Sequence, residues 1–201
     1  MSRPVSASAL VSALLAPLAL IVGCAWAAAQ QPGFDSTRDT ISALAGLGAR
    51  DRWIMTGAFW VLGLCHVVTA LGLRAARWPG RALLGWGGLS IIGVALVPVP
   101  AHGESHAHAQ VAMSAFVSMC AWPLLALRTD ALAPLLRARA SIAASVGLFV
   151  LLSLFGLAVW GDLGVGLSER VVAIAQSLWP LAVALSVRKT ARAPDPYAAR
   201  P

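Results

Sequence analysis

An all-α bundle of six membrane-spanning helices is the fold this sequence predicts, and three observations predict it. The 201 residues are 59% hydrophobic and only 11% charged, with a mean hydropathy of +0.78. A soluble chain of this length carries about a quarter of its residues as charges. The apolar residues gather into runs close to the ~20 residues a helix needs to cross the hydrocarbon core. The charges fall between those runs, cations at alternate connections and acids at the others.

The predicted spans are Ser6–Ala29, Trp53–Leu73, Ala82–Val99, His108–Leu127, Ile142–Trp160 and Arg170–Arg188, forming one domain over residues 1–190. Pro17, Pro123 and Pro180 fall inside them and predict local bends, which membrane helices tolerate when neighbours satisfy the freed carbonyls. The first span has a rival reading: Met-Ser-Arg-Pro, an apolar run and then Ala25-Trp-Ala27 resemble a signal peptide. Its apolar run is long for one, so a membrane span is preferred.

The first connection, Gln31 to Arg52, is the longest polar stretch between spans, and it reads as a lid over a polar vestibule. Pro32-Gly33 marks a turn. Ser36 and Asp39 have the spacing of a capping box, Ile41, Leu44 and Leu47 follow at helical spacing, and Gly46 and Gly48 can end the helix. A short amphipathic helix from Ser36 to about Leu47 is expected at the membrane interface. Asp35, Arg38 and Asp39 are candidate ligand-binding residues there.

His66 lies about 20 Å along the second span from Trp53 at 1.5 Å per residue. An intramembrane imidazole flags a functional site, although a neutral ring bonded to a carbonyl or to Thr69 explains it equally well. The third span carries Gly85, Gly87, Gly88 and Gly93, which suit close helix packing.

The next connection holds His102, Glu104 and His106, with His108 just beyond. Imidazoles with a carboxylate suit a divalent metal such as zinc. The spacing does not make them converge from one regular element: His102 and His106 share a helical face, whereas His106 and His108 share an extended one. Gln110, Ser114 and Ser118 continue as a polar stripe at four-residue intervals, expected to face the bundle interior, with Gln176 and Ser177 as partners. Ser141 and Ser145 open the fifth span at close-packing spacing. Before the sixth span, Arg170 is expected to tie the lid to the last helix by pairing with Asp35, Asp39 or Asp162. The tail 191–201, with Pro194, Pro196 and Pro201, is expected to be disordered.

Counting cations orients the chain. One side carries Arg3, Arg74, Arg77, Arg81, Arg128, Arg137, Arg139, Arg188, Lys189, Arg192 and Arg200; the other carries Arg38, Arg50, Arg52 and Arg170. The positive-inside rule then places both termini in the cytoplasm, in an inner (plasma) membrane. The net charge of +7 is therefore topological. No basic run is interleaved with aromatics, which excludes nucleic acid. Cys24, Cys65 and Cys120 all lie in apolar runs and make no disulfide framework or structural zinc motif.

Pro32-Gly33-Phe34-Asp35, followed by Ile41-Ser42-Ala43-Leu44, resembles the segment after the first helix in the bacterial membrane proteins called domain of unknown function 998. Gly166-Leu-Ser-Glu-Arg170, with Leu178-Trp179 beyond, resembles that family's entry to its last helix. Pro98–His108 sits where members carry a Pro- and His-containing outer loop. Ala43 stands where the family pattern has an acid. The resemblance covers nearly the whole chain; it implies six membrane helices and no particular activity.

The functional expectation is a non-enzymatic membrane protein embedded in the lipid bilayer. It binds a lipid headgroup, a small polar ligand or a membrane-protein partner at an outer vestibule built from Asp35, Arg38, Asp39, Gln110, Arg170 and Gln176. Two rivals are a metal-dependent lipid hydrolase using His102, Glu104, His106 and His108, and a transporter or proton-coupled channel through His66 and the Gln110 stripe. Oligomeric state is not legible.

Overall fold

The computed structural model describes residues 4–103 and 105–192. Arg3, Glu104 and the tail beyond Arg192 lie outside the described residues, so the expectation of a disordered tail falls outside them from residue 193 on. Six helices follow in chain order: α1 (Ala7–Ala29), α2 (Trp53–Gly72), α3 (Trp78–Leu96), α4 (His106–Ala126), α5 (Ala138–Gly161) and α6 (Val165–Arg192). All six are long and apolar enough to cross a membrane, and no strand occurs among the described residues.

Local chemistry sets the helix boundaries. Ser6 caps α1, its hydroxyl accepting from the Ala9 amide at 3.1 Å, and Ser105 caps α4 through the His108 amide at 3.2 Å. A serine oxygen there satisfies one of the helix's orphan donors. α3 starts four residues earlier than its hydropathy implies, because Pro79 fits the first turn, where its missing N–H is no loss. α6 starts five residues before the predicted Arg170, at Val165, for a reason that lies in the first loop and is given below. Pro17, Pro123 and Pro180 sit within continuous helices, as expected.

The helices pack as a closed ring in which each touches its sequence neighbours and α6 returns to α1. The chain reverses at two ends. At the terminal end, the Ser6 amide donates to the Gly72 carbonyl, Ala75 to Pro4 and Arg77 to Ala126. At the other, the lid end, Leu47 donates to the Val99 carbonyl at 2.8 Å, joining the first and third connections.

Two apolar clusters fill the ring. One, near the terminal end, centres on Leu73, Leu84, Trp122, Leu136 and Val183. The other, near the lid, centres on Leu20, Leu44, Met55, Phe59 and Leu62. α2 and α3 approach most closely at paired glycines: a Cβ on Gly63 would sit 2.5 Å from the Gly88 carbonyl oxygen, and one on Gly88 would sit 2.6 Å from that of Gly63. α5 is the peripheral member. Its only buried residues are Ser141, Ser145 and Leu148, all in its terminal-end half. Ser145 bonds the Cys120 carbonyl of α4 at 2.6 Å, so the predicted serine pair does serve packing.

Candidate functional site

The first loop and the start of α6 are bound together by donors and acceptors supplied from both sides. A helix N-terminus leaves amides without intrahelical partners. Here Gly166 donates to the Arg38 carbonyl at 3.2 Å and Leu167 to that of Thr37 at 3.1 Å. The loop thus caps α6, and this lets the helix begin before Arg170. In return, the Glu169 carboxylate accepts from the Ile41 amide at 2.5 Å. Arg170 Nη1 donates to the carbonyls of Ser36 at 2.9 Å, Asp39 at 2.7 Å and Gly166 at 2.9 Å. Its guanidinium also lies 5.4 Å from the centre of the Phe34 ring, in reach of a cation–π contact. Gly166 permits the closeness, since a Cβ there would sit 2.3 Å from the Asp39 oxygen.

The loop holds its own shape by an aspartate turn. The Asp35 carboxylate accepts from the Thr37 amide at 2.8 Å and hydroxyl at 2.7 Å, while Asp39 reaches back to the Asp35 amide at 2.7 Å. Asp35, not Ser36, heads this turn, one residue earlier than the expected cap. The helix expected from Ser36 to Leu47 is shorter, a single 3-10 turn over Ser42–Ala45. Its backbone donors and acceptors are drawn to α6 instead of to one another. The hydroxyl and amide of Thr37 hold the Asp35 carboxyl below its usual range. A depressed folded value means that the turn's contribution is complete above the ordinary carboxylate value of about 3.9. It is lost as pH falls below that, through the folded value. Protection of the Thr37 amide, taken relative to its intrinsic exchange rate at each pH, is expected to hold at pH 5 and to fall in acid; Asp35→Asn should remove that pH response.

Beneath the loop lies a cavity of about 60 Å³. Its roof is Ile41 and Ser42, and its polar lining is His66 from α2 with Glu169, Gln176 and Ser177 from α6. The three α6 residues share one face at i, i+7 and i+8, so Glu169 and Gln176 stand about 10 Å apart along the axis. They are buried, Glu169 5%, Gln176 4% and His66 1% exposed. Gln176 Nε2 donates to the Phe116 carbonyl at 2.9 Å and contacts Cys120 Sγ at 3.1 Å, and Ser177 donates to the Ile174 carbonyl at 2.9 Å. His66 Nδ1 has no hydrogen-bond partner, so the sequence reading of a carbonyl- or Thr69-bonded ring does not hold at that nitrogen. Thr69 is occupied elsewhere, with Ser12 at 2.8 Å and the Cys65 carbonyl at 2.8 Å.

Of the residues singled out from sequence, Gln176 lines the cavity and Arg170 holds its roof. Arg170 ties lid to helix as expected but through backbone carbonyls, not through Asp35, Asp39 or Asp162, because the loop turns its peptide oxygens toward α6. Asp35 pairs with Arg38 at 3.2 Å on the exposed side of the loop. Gln110 is exposed, while Ser114 meets Trp86 Nε1 and Ser90 at 3.1 Å each and Ser118 is buried. The polar stripe faces α3 rather than the chamber.

His102 and His106 are exposed, and the His108 ring meets the Val97 carbonyl at 2.7 Å. Among the described residues no three His, Cys, Asp or Glu side chains converge as a metal site requires; Glu104 is not among those residues. Glu169 lines the cavity and was not among the candidate site residues read from the sequence. Its signal was an acid one turn inside an apolar helix. The motif Gly166–Arg170 carried it, and the structure brings that motif against the other resembling motif, Phe34–Leu44.

The family model described as Protein of unknown function (DUF998) matches residues 14–186. No curated protein and no solved structure matches the chain.

Proposed function

The chain belongs to the membrane-protein family described as Protein of unknown function (DUF998), and from this premise we propose that it works as a binding protein, holding one small ligand or lipid headgroup in the chamber beneath its first loop. The observation that carries this reading is the polar set Glu169, Gln176, Ser177 and His66, buried together around one cavity inside a bundle of apolar helices. Polar and ionisable groups at membrane depth are costly and face protein partners or a cavity. Helix packing alone accounts for Gln176 Nε2 and the Ser177 hydroxyl, which bond neighbouring carbonyls, but not for the unpaired ring nitrogen of His66.

The cation count supports a lid end that faces out of the cytoplasm in an inner membrane, with both termini inside. On this reading Arg74, Arg77, Arg81, Arg128, Arg137, Arg139, Arg188, Lys189 and Arg192 contact the anionic inner leaflet. The ligand meets the protein at its extracytoplasmic half.

Native mass spectrometry of protein released from a mild detergent tests the binding role. The wild type is expected to carry a bound species near one per chain, and Ala173→Phe, which fills the chamber from α6, should lose it. Binding is the wrong role if the two proteins carry the same adducts.

A further inference from the structure

The chamber's unused polar atoms are of one kind. Gln176 spends its amide hydrogens on the Phe116 carbonyl and Cys120, and Ser177 spends its hydroxyl hydrogen on Ile174. What these two lining residues leave unused are acceptors: the Gln176 side-chain oxygen and the Ser177 lone pairs. Glu169 adds a carboxylate that takes the Ile41 amide, has the amide and hydroxyl of Ser42 beside it, and keeps acceptor capacity beyond them. The nearest cation, Arg170, is not among the lining residues: it directs Nη1 toward the carbonyls of Ser36, Asp39 and Gly166, and its Nη2 is buried without a partner. A phosphate or carboxylate would meet acceptors here. A head group that donates hydrogen bonds and carries positive charge would be satisfied on several sides, with the unpartnered His66 Nδ1 as one more acceptor when its proton is on Nε2.

The walls point to how such a ligand arrives. Phe59 and Leu62 of α2 and Ala115, Phe116 and Ala173 make the chamber apolar apart from its polar set. α4 and α6 both line it, yet they barely touch each other, and α5, which packs on both, contributes nothing to its lining. In the lid-end half of α5 no residue is buried, and the tilted pair Phe116–Phe155, 5.5 Å between ring centres, is the aromatic contact there. The side between α4 and α6 is therefore the thin wall, covered only by the lid-end half of α5.

Building on the binding role above, we infer that the chamber takes the protonated amine head of an amphiphile that enters from the bilayer between α4 and α6, its chain remaining in that gap. The cavity of about 60 Å³ suits a small ammonium group with its first carbons, not a sugar or a phosphodiester head.

The test uses the full chain in nanodiscs of zwitterionic lipid, with decylamine, decanol and decanoate as probes of equal chain length. Decylamine is expected to raise the unfolding midpoint by roughly 3 °C or more, as a ligand well above its dissociation constant does. Decanoate should give no shift, and decanol less than half that of the amine. Ala173→Phe should abolish the amine shift. Glu169→Gln should at least halve it; because Glu169 also holds the roof, Gln176→Leu, which removes an acceptor away from the loop, should reduce it as well.

A shift by decanoate or decanol equal to that by decylamine, abolished in Ala173→Phe, overturns the amine class and leaves the binding role standing. A decylamine shift that survives Ala173→Phe unchanged overturns both, since the probe then acts elsewhere. No shift with any probe, while an adduct is still lost in Ala173→Phe, overturns the amine inference alone.

Discussion

Arg170→Ala is expected to release the first loop from α6. The guanidinium donates to three backbone carbonyls at 2.7 to 2.9 Å, two of them in the loop. Hydrogen bonds from a charged donor contribute about 1.5 to 3 kcal/mol each, and they are not additive. Loss of the group should cost the closed loop on the order of 3 kcal/mol, a shift of roughly 100-fold in its opening equilibrium. Trypsin reports this directly. The Arg38 side chain is 76% exposed, yet its own carbonyl is bonded to the Gly166 amide and the neighbouring Thr37 carbonyl to Leu167. Cleavage after Arg38 therefore requires local opening. The variant should be cut there one to two orders of magnitude faster than the wild type, while its helices keep the same far-UV circular dichroism. Arg170→Lys should fall between the two, because an ammonium cannot span the same acceptors as a planar fork. Equal cutting rates for Arg170→Ala and wild type would show that the capping of α6 and the Glu169–Ile41 bond hold the loop unaided.

Valine at Gly63 or Gly88 should be among the most damaging changes in the bundle. In each case the new Cβ would meet the facing helix's backbone carbonyl, at 2.5 Å for Gly63 and 2.6 Å for Gly88. Backbone cannot turn aside as a flexible side chain can. The two helices must separate, and their close approach is what holds membrane helices together where no hydrophobic drive exists between them. Overpacking of this kind costs about 1 to 3 kcal/mol. Separation would also move His66, whose Cβ lies 3.0 Å from the position of a Cβ on Gly88. A lowered unfolding temperature is expected, together with loss of the bound species proposed above. Gly147→Ala and Gly156→Ala on α5 are the controls. A Cβ at either meets nothing within 4 Å, and alanine is the better helix former by about 1 kcal/mol. If Gly63→Val unfolds at the same temperature as Gly147→Ala, the tight crossing is not a source of stability.

Both predictions depend on partners distant in sequence, and this marks the limit of what the chain discloses by itself. Hydropathy determined the six helices, because a run of about 20 apolar residues has few other ways to satisfy its backbone in lipid. The charge pattern determined which connections share an end of the bundle, and the ends drawn from sequence agree with the backbone bonds joining Ser6 to Gly72 and Leu47 to Val99. Gly166–Arg170 and Phe34–Leu44 were each visible as motifs.

Only the tertiary structure decided that these two motifs meet. A loop carbonyl has no side-chain identity, so nothing in the letters of Ser36, Thr37, Arg38 or Asp39 marks their oxygens as the partners of Arg170 and of the α6 amides. For the same reason acidic side chains looked like the natural match for Arg170. The sequence reading that turned Gln110 inward failed for a similar reason. Helical spacing fixes which residues share a stripe, but the rotation of α4 against α3 is set by packing, and it leaves Gln110 exposed and Ser114 on Trp86. The chamber exists because α2, α4 and α6 converge below the loop, and no local signal in a sequence encodes an enclosed space between distant segments.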